Sequence, residues 1–576
     1  MPSATEAFTA LLGNGIDYAR QHGLMPVSVR LSPSFNRPEL AAVANAMSGA
    51  ASLSRDPPSL LLTETFLPRH VALAWAARKS GCRTIIHPTL TGWAHGSPLS
   101  MIARTVLEHA PSLIWDRCLL WPNRWLAPAL MRSRLAVALT DLLSRAARPG
   151  LSDRLMQSLR SGRTGAYTPT DRMVIVSADL SAGGAEGNAF YTFLGLREKG
   201  LPAEILCFRE TTGPQIYKAP GAPIHVLQPA IGGIEKDRIA ALAETHAGLL
   251  AALPASTASD VLQCLGWFTQ HQPHLVHAWQ DHTNITAGLA AVLAGVPRVV
   301  LGLVSVSPLH FNFYRHEMRA IYRALALHPA VSIVANSAAG AREYERWLDL
   351  PTGSIAVVYH GLQPERVAAV GREASLAYRA SLGIPADAPV VGNLLRFTAV
   401  KDPILWLQIA AHVASSLPET HFLLLGDGEM RADMQATADQ LGIAGKLHMP
   451  GVTKKPALPL SAMDCLLMTS RQEGLPNTLL EAQALGVPVV TTAVGGASEA
   501  LEQGQTGWAL DSRDAAALAA KVIDCLDNAD WRHQASRRAP DFIRDRFSLG
   551  RMVTDTIALY HRQEKPRILP DNRRSG

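Results

Sequence analysis

The pattern of apolar and polar positions changes character near residue 170. MVIVSADL, residues 173–180, is a continuous apolar run. SAGGAEG follows as a glycine turn, NAFYTFLGLREKG as a helix and AEILCFR as a second apolar run. A continuous run fits a strand of a parallel sheet covered on both faces, whereas a half-solvated strand alternates. HLVHAW, PRVVLGL, VSIVAN and IAVVYH extend the series of strands, with helices such as NITAGLAAVLAG between several of them. The pattern then restarts with VVGNLLRF, HFLLLGDG, KLHMPG, CLLMTS and PVVTTAVGG. Alternating strands and helices predict two doubly wound, Rossmann-like α/β domains facing a cleft. The expected limits are 169–385 and 386–545, followed by a closing helix and basic tail over 546–576.

Residues 1–168 form an extra region, mixed α/β and then helical. PPSLLLTETFLPRHVALAWAARKSGCRTIIHPT reads as strand, helix, strand, and SGRTGAYTPTDR (161–172) as a linker. Charge makes this region distinct. The 576-residue chain carries a formal net charge of +6. Residues 116–163 contain nine arginines, no lysine and three acidic residues, so the surplus is confined there. Five of the eleven tryptophans fall between Trp75 and Trp125. Arginine with tryptophan suits an anionic membrane surface, and it equally suits a solvated helix face above an aromatic core. Both readings stay open. No apolar run reaches the length of a spanning helix, and the N-terminus lacks the basic start and apolar core of a signal peptide. The six cysteines are scattered without a CxxC pair, which speaks against zinc and disulfide frameworks. A cytoplasmic protein is expected, peripheral at the inner face of the plasma membrane if the membrane reading holds. Nucleic acid is not an expected partner.

The densest candidate chemistry lies in SRQEGLPNTLLEAQALG, residues 470–486. CLLMTS is the strand, RQEGLPN the loop at its carboxyl end, and TLLEAQAL the helix that follows. Open parallel sheets bind ligands at that end. The helix begins near Asn477 and Thr478, and its free N–H groups and positive dipole end form a site for an anion such as a diphosphate. Glu473 sits on the loop and Glu481 on the helix. Thr478-Leu479-Leu480-Glu481 also fits the capping box, in which the glutamate reaches back to the cap backbone. Capping alone would account for Glu481, and Glu473 could simply face water.

Glu473 and Glu481 form an E-x7-E motif, and EGLPNTLLEAQALGVPVVTTAVGG resembles the signature of retaining glycosyltransferases of family 4, which have the GT-B fold. GGAE at 183–186 follows the first strand of the first half, as in that family. Arg396 and Lys401 in NLLRFTAVKDP match its R-x4-K pair, and GDGEMR at 426–431 matches its glycine turn. The resemblance spans about residues 170–545. It implies that the first α/β domain faces the acceptor and the second binds the nucleotide-sugar. Arg396 and Lys401 would hold the leaving diphosphate, with Gly183, Gly184, Gly428, Gly474, Leu475, Asn477 and Thr478 shaping the donor site. Glu473 would take hydroxyls of the transferred sugar and Glu481 those of the ribose. It implies no metal and no cofactor, a UDP- or GDP-type sugar as co-substrate, and a saccharide or lipid-linked acceptor in surface polysaccharide synthesis.

The chemistry of these residue types agrees. Breaking a sugar–phosphate bond develops negative charge on the diphosphate, which fixed cations and backbone donors stabilise. Arginine offers a planar fork and lysine a point charge. Glycines allow backbone amides to approach closely, and carboxylates accept bonds from sugar hydroxyls. Departures lie on the acceptor side. GLVSVSPLH has no histidine before His310, where many family members have one. His360-Gly361 stands where N-G is common, and GGAE is followed by GNAF. His282, in WQDHTN, follows a strand end and is the candidate catalytic histidine, with a structural role as its alternative. Two other classes compete: a non-catalytic nucleotide-sugar or saccharide-binding protein, and a nucleotide-sugar epimerase on the same fold. A dehydrogenase is disfavoured, because Arg431 replaces the third glycine of G-x-G-x-x-G in GDGEMR.

Overall fold

The computed structural model describes residues 167–562 with short gaps, four helical positions between 155 and 159, and three short strands before them. The chain divides into two compact units, residues 1–149 with 309–316, and residues 150–308 with 317–576. In the first, β1 (Pro26–Val29), β2 (Ser59–Leu62) and β3 (Arg83–Ile86) form a parallel sheet in that order. β2 and β3 are the two strands expected around residues 59 and 84. The helix expected between them, the nine arginines of 116–163 and the tryptophans up to Trp125 lie outside the described residues. The membrane reading of that region therefore has no structural counterpart here.

The second unit is built on two parallel sheets. The first contains β4 (Met173–Ser177), β5 (Ala203–Cys207), β6 (Ile224–Val226), β7 (Leu275–Trp279), β8 (Arg298–Leu303), β9 (Val331–Ala335) and β10 (Ala356–Val357). Their order is β10-β9-β8-β7-β4-β5-β6. The chain thus runs outward from β4 in one direction and returns to β7 in the other. That reversal is a topological switch point, where a crevice opens at the strand ends. Helix α1 (Gly184–Glu198) follows β4 and buries Phe190 and Phe193 against the sheet. Helices α2 (Ala255–His271), α3 (Asp281–Ala294) and α4 (Ala338–Leu348) complete the part of the layer that bears on the site. α3 is buried all round, which explains why its sequence shows no polar stripe.

The second sheet contains β11 (Val390–Leu394), β12 (His421–Leu425), β13 (Leu447–Gly451), β14 (Cys465–Met468), β15 (Val489–Thr492) and β16 (Gly507–Leu510), ordered β13-β12-β11-β14-β15-β16. One face packs on α5 (Pro403–Ser416) through Trp406, Ile409 and Val413. The other packs on α6 (Asn477–Ala484) and α7 (Ala529–Phe547) through Leu479, Leu480 and Phe547. Coverage on both faces is why the strands read as unbroken apolar runs.

The chain then turns back. Helix α8 (Leu549–His561) leaves the second sheet and packs on the first. Leu559 and Tyr560 join the core around Phe190 and Phe193, and the Tyr560 hydroxyl meets His277 Nδ1 at 2.7 Å. A Cβ on Gly195 of α1 would lie 2.2 Å from Val553, so the two helices touch almost backbone to side chain. Residues 546–576 are expected as a closing helix and basic tail; within them α8 contributes core to the first sheet.

Candidate functional site

The site starts from two neighbouring strands. β11 and β14 lie side by side, so the loops at their carboxyl ends run together. The Arg471 N–H donates to the Val400 carbonyl at 2.7 Å. Thr469 Oγ1 donates to the carbonyls of Lys401 and Asp402 at 3.2 and 3.0 Å. The buried Asp402 carboxylate takes Arg471 and Arg513, each at 2.5 Å. Lys401 is thereby held on a backbone that is itself tied down from both sides. Its Nζ donates to Glu473 Oε1 at 2.5 Å. Glu473 is only 8% exposed, so the water-facing alternative for it is excluded. A charged pair this deep is supported by its geometry, because an unpaired carboxylate there would be costly.

Arg396 lies on the same loop as Lys401 and is exposed. Its neighbour Phe397 anchors the glycine turn: the Phe397 N–H donates to Asp427 O at 2.9 Å, and Phe397 O accepts from Met430 N–H at 3.0 Å. A Cβ on Gly428 would fall 2.5 Å from the Phe397 carbonyl oxygen. The structure thus gives Gly428 a packing reason that holds with or without a ligand.

Glu481 departs from the expected capping box. Helix α6 has Pro476 at its N-cap position and makes no side-chain cap bond. Thr478 lies one residue inside the helix, and its hydroxyl donates to Leu394 O at 3.3 Å. Glu481 makes no bond back to the cap, and its carboxylate is turned to Arg366 instead. Arg366 grips it with both arms of the guanidinium, through Nε and, at 3.1 Å, through Nη2. The Glu481 side chain is 1% exposed and that of Arg366 38%. Burial works against the guanidinium charge, but Glu481 outweighs it and holds Arg366 more firmly protonated than usual.

Gly474, between the two glutamates, lies close against the first half. A Cβ there would stand 2.2 Å from the Val304 carbonyl oxygen at the end of β8. Its own carbonyl accepts from Gly496 N–H at 2.7 Å. Leu475 turns its side chain into the core of the second sheet, leaving only its backbone toward the cleft. Opposite lies the turn before α1. The Gly183 carbonyl accepts from Tyr217 Oη at 3.1 Å, and Asn477 Nδ2 lies 2.9 Å from where a Gly184 Cβ would stand. Gly183, Gly184, Gly474, Asn477, Lys401, Glu473 and Glu481 are thus assembled along one cleft. The N-terminus of α6 lies on it, at Asn477. His282 is placed differently. Its Nε2 meets Asp260 Oδ2 of α2 at 2.9 Å and its ring lies 5.9 Å from that of Phe208. No contact joins it to Lys401 or Glu473 among the described residues.

Three participants carry no sequence signal of their own. Arg366 lies in QPERVAAVG, which matches no motif. Glu499, from the second half, accepts from the N–H groups of Ala338 and Ala339 at 2.8 and 2.7 Å and from Tyr359 Oη at 2.9 Å. It stabilises the N-terminus of α4 in the first half, a charge–dipole contact across the cleft. Gln280 joins β7 to Glu186 of α1. His360, 2% exposed, faces the Asn477 side chain without a well-formed bond from either ring nitrogen. Burial pushes its pKa down to about 4. No three His, Cys, Asp or Glu side chains cluster as a metal-ligand set among the described residues.

Two parallel, switch-point sheets with a cleft at their strand ends define a GT-B architecture. Solved structures share it: that of Anabaena HepE in complex with UDP superposes with a TM-score of 0.56 at 19% identity, covering 68% of this chain and 99% of that one. Residues 375–542 match the family model of glycosyl transferases group 1, and residues 183–366 that of Glycosyltransferase Family 4. The chain belongs to this glycosyltransferase family. The Vi polysaccharide biosynthesis protein VipC/TviE of Salmonella typhi is 32% identical over 311 residues, 53% of this chain and 54% of the relative. The lipopolysaccharide core biosynthesis glycosyltransferase LpsE of Rhizobium meliloti is 32% identical over 170 residues, 30% of this chain and 49% of the relative. The chain spans about half the length of these curated relatives.

Proposed function

We propose that this chain is a retaining glycosyltransferase that moves a sugar from a UDP- or GDP-type nucleotide-sugar to a saccharide or lipid-linked saccharide acceptor in surface polysaccharide synthesis, with no metal or cofactor. The observation that carries the reading is the Lys401–Glu473 pair beside the N-terminus of α6 and opposite Gly183–Gly184. In this reading a diphosphate lies between these donors. Arg396 and Lys401 supply its counter-charge, and the α6 amides supply neutral donors already oriented. Glu473 accepts from hydroxyls of the transferred sugar. Glu481 accepts from the ribose, and its oxygens have lone pairs enough for both Arg366 and the ribose.

In the reaction, the acceptor oxygen forms a bond to the anomeric carbon on the face from which the nucleotide departs. The bond from that carbon to the phosphate oxygen breaks. The acceptor proton passes to the departing phosphate, which Lys401 and Arg396 hold. No protein nucleophile is required. The names of the relatives, one in Vi polysaccharide and one in lipopolysaccharide core biosynthesis, favour a surface-glycan acceptor. A peripheral position at the inner face of the plasma membrane, through residues 116–163, fits such an acceptor. Unchanged vesicle binding after removal of residues 1–160 would reject that placement.

The test is a donor screen with detection of released nucleotide, run in EDTA with UDP- and GDP-sugars and membrane-extracted lipid-linked saccharides. One donor is expected to release nucleotide well above the no-enzyme rate. Binding of nucleotide-sugar without release from any donor would favour a binding protein instead.

A further inference from the structure

Gln280 has φ 74° and ψ 154°, a conformation that glycine adopts freely and other residues rarely do. It sits at the carboxyl end of β7, on the switch point, and caps α3 without a side-chain cap bond. Its backbone N–H donates to Gly302 O at 3.2 Å. Its side chain reaches across to the neighbouring strand end, where Nε2 donates to Glu186 Oε1 at 2.7 Å. The second oxygen of Glu186 lies over Gly183, only 1.8 Å from where a Cβ would stand. Gly183 is held on its other side by Tyr217 Oη. Glycine would relieve the backbone at 280, yet glycine has no amide to give Glu186.

Resting on the glycosyltransferase reading, we propose that Gln280 is a positioning residue: its strained backbone exists to hold Glu186 over Gly183 and so to fix the Gly183–Gly184 turn against Asn477. The strain sits at one strand end and its benefit at the next. Donor turnover depends on the amide, whereas stability depends on the backbone.

Four variants separate these effects. Q280A keeps the strain and loses the amide; Q280G loses both. Both are expected to cut nucleotide release from the donor substrate by a similar factor, about 10-fold or more, while the Tm of Q280G exceeds that of Q280A by several degrees. Q280E sets two carboxylates together and is expected to be the least active. The exchanged pair E186Q/Q280E restores an amide–carboxylate contact and is expected to regain most of the release rate. Activity that follows Tm, with Q280G near wild type, would overturn the proposal, as would an exchanged pair no better than Q280E. UDP and GDP titrations of the wild type separate the two levels: no binding there defeats the donor reading, whereas binding with an unaffected Q280A defeats only the role of Gln280.

Discussion

Lys401 and Glu473, 72 residues apart, meet at 2.5 Å where the loops of two adjacent strands are stitched together. The pair places a cation and a carboxylate at the mouth of one cleft. Replacing Glu473 by Gln keeps the volume and removes the charge. Transfer is expected to fall about 100-fold or more, because a loosened substrate contact near the reacting centre has effects of that size. Nucleotide-release kinetics measure it. An unchanged circular dichroism spectrum and melting curve would show that the fold survives. Full activity in E473Q would reduce Glu473 to a partner for Lys401.

The Arg366–Glu481 fork has a different consequence. Removing Arg366 leaves a carboxylate that is 1% exposed without its cation. Breaking a buried pair this way costs about 3–5 kcal/mol, and the partial exposure of Arg366 lowers the expectation to about 2–3 kcal/mol. Chemical denaturation should show R366A less stable by that amount. The double variant R366A/E481Q should recover much of the loss, since the stranded charge is then gone.

Gly474 is constrained by space. A Cβ would stand 2.2 Å from Val304 O, a backbone atom that cannot swing aside. G474A is expected to push the two halves apart, to lose about 1–3 kcal/mol and to lose transfer more severely than stability. A G474A enzyme with normal kinetics would mean that the cleft tolerates a wider opening than the structure shows.

Acid should destabilise the fold through its buried histidines. Burial lowers the pKa of His277 to about 3 and of His360 to about 4, from an ordinary value of 6.5. Each is neutral when folded and takes a proton more readily when unfolded. Their contribution is complete above pH 6.5 and erodes as the pH falls through 6.5 toward 4 or 3. At pH 5 the loss is on the order of 2 kcal/mol per histidine. Stability of wild type and H360N, measured between pH 7.5 and 4.5, should converge as the pH falls. Parallel curves would contradict the assignment for His360.

Much of this architecture was legible because parallel strands covered on both faces leave an unmistakable apolar run. MVIVSADL, HLVHAW, HFLLLGDG and CLLMTS each mark a strand. The loops at their ends could then be located, and with them Lys401, Glu473 and Asn477. What failed depended on partners distant in sequence. Thr478-x-x-Glu481 has the capping pattern, but the helix begins at Asn477 after Pro476, and Arg366 claims the glutamate. Local pattern cannot weigh a guanidinium 115 residues away. The return of α8 was hidden for the same reason: an amphipathic helix shows that it has a buried face but not which sheet will cover it. Gln280 is the converse case, a residue whose backbone breaks its own preference, visible only in the folded chain.

The central claim is that the cleft binds a nucleoside diphosphate through protein groups alone. Calorimetric titration of the intact chain with UDP and with GDP, in buffer containing EDTA, tests it most directly. The account predicts saturable one-to-one binding of one of the two, weakened about 10-fold or more in K401A and in E481Q. Binding of neither nucleotide, or binding that disappears only when EDTA is added, would contradict it.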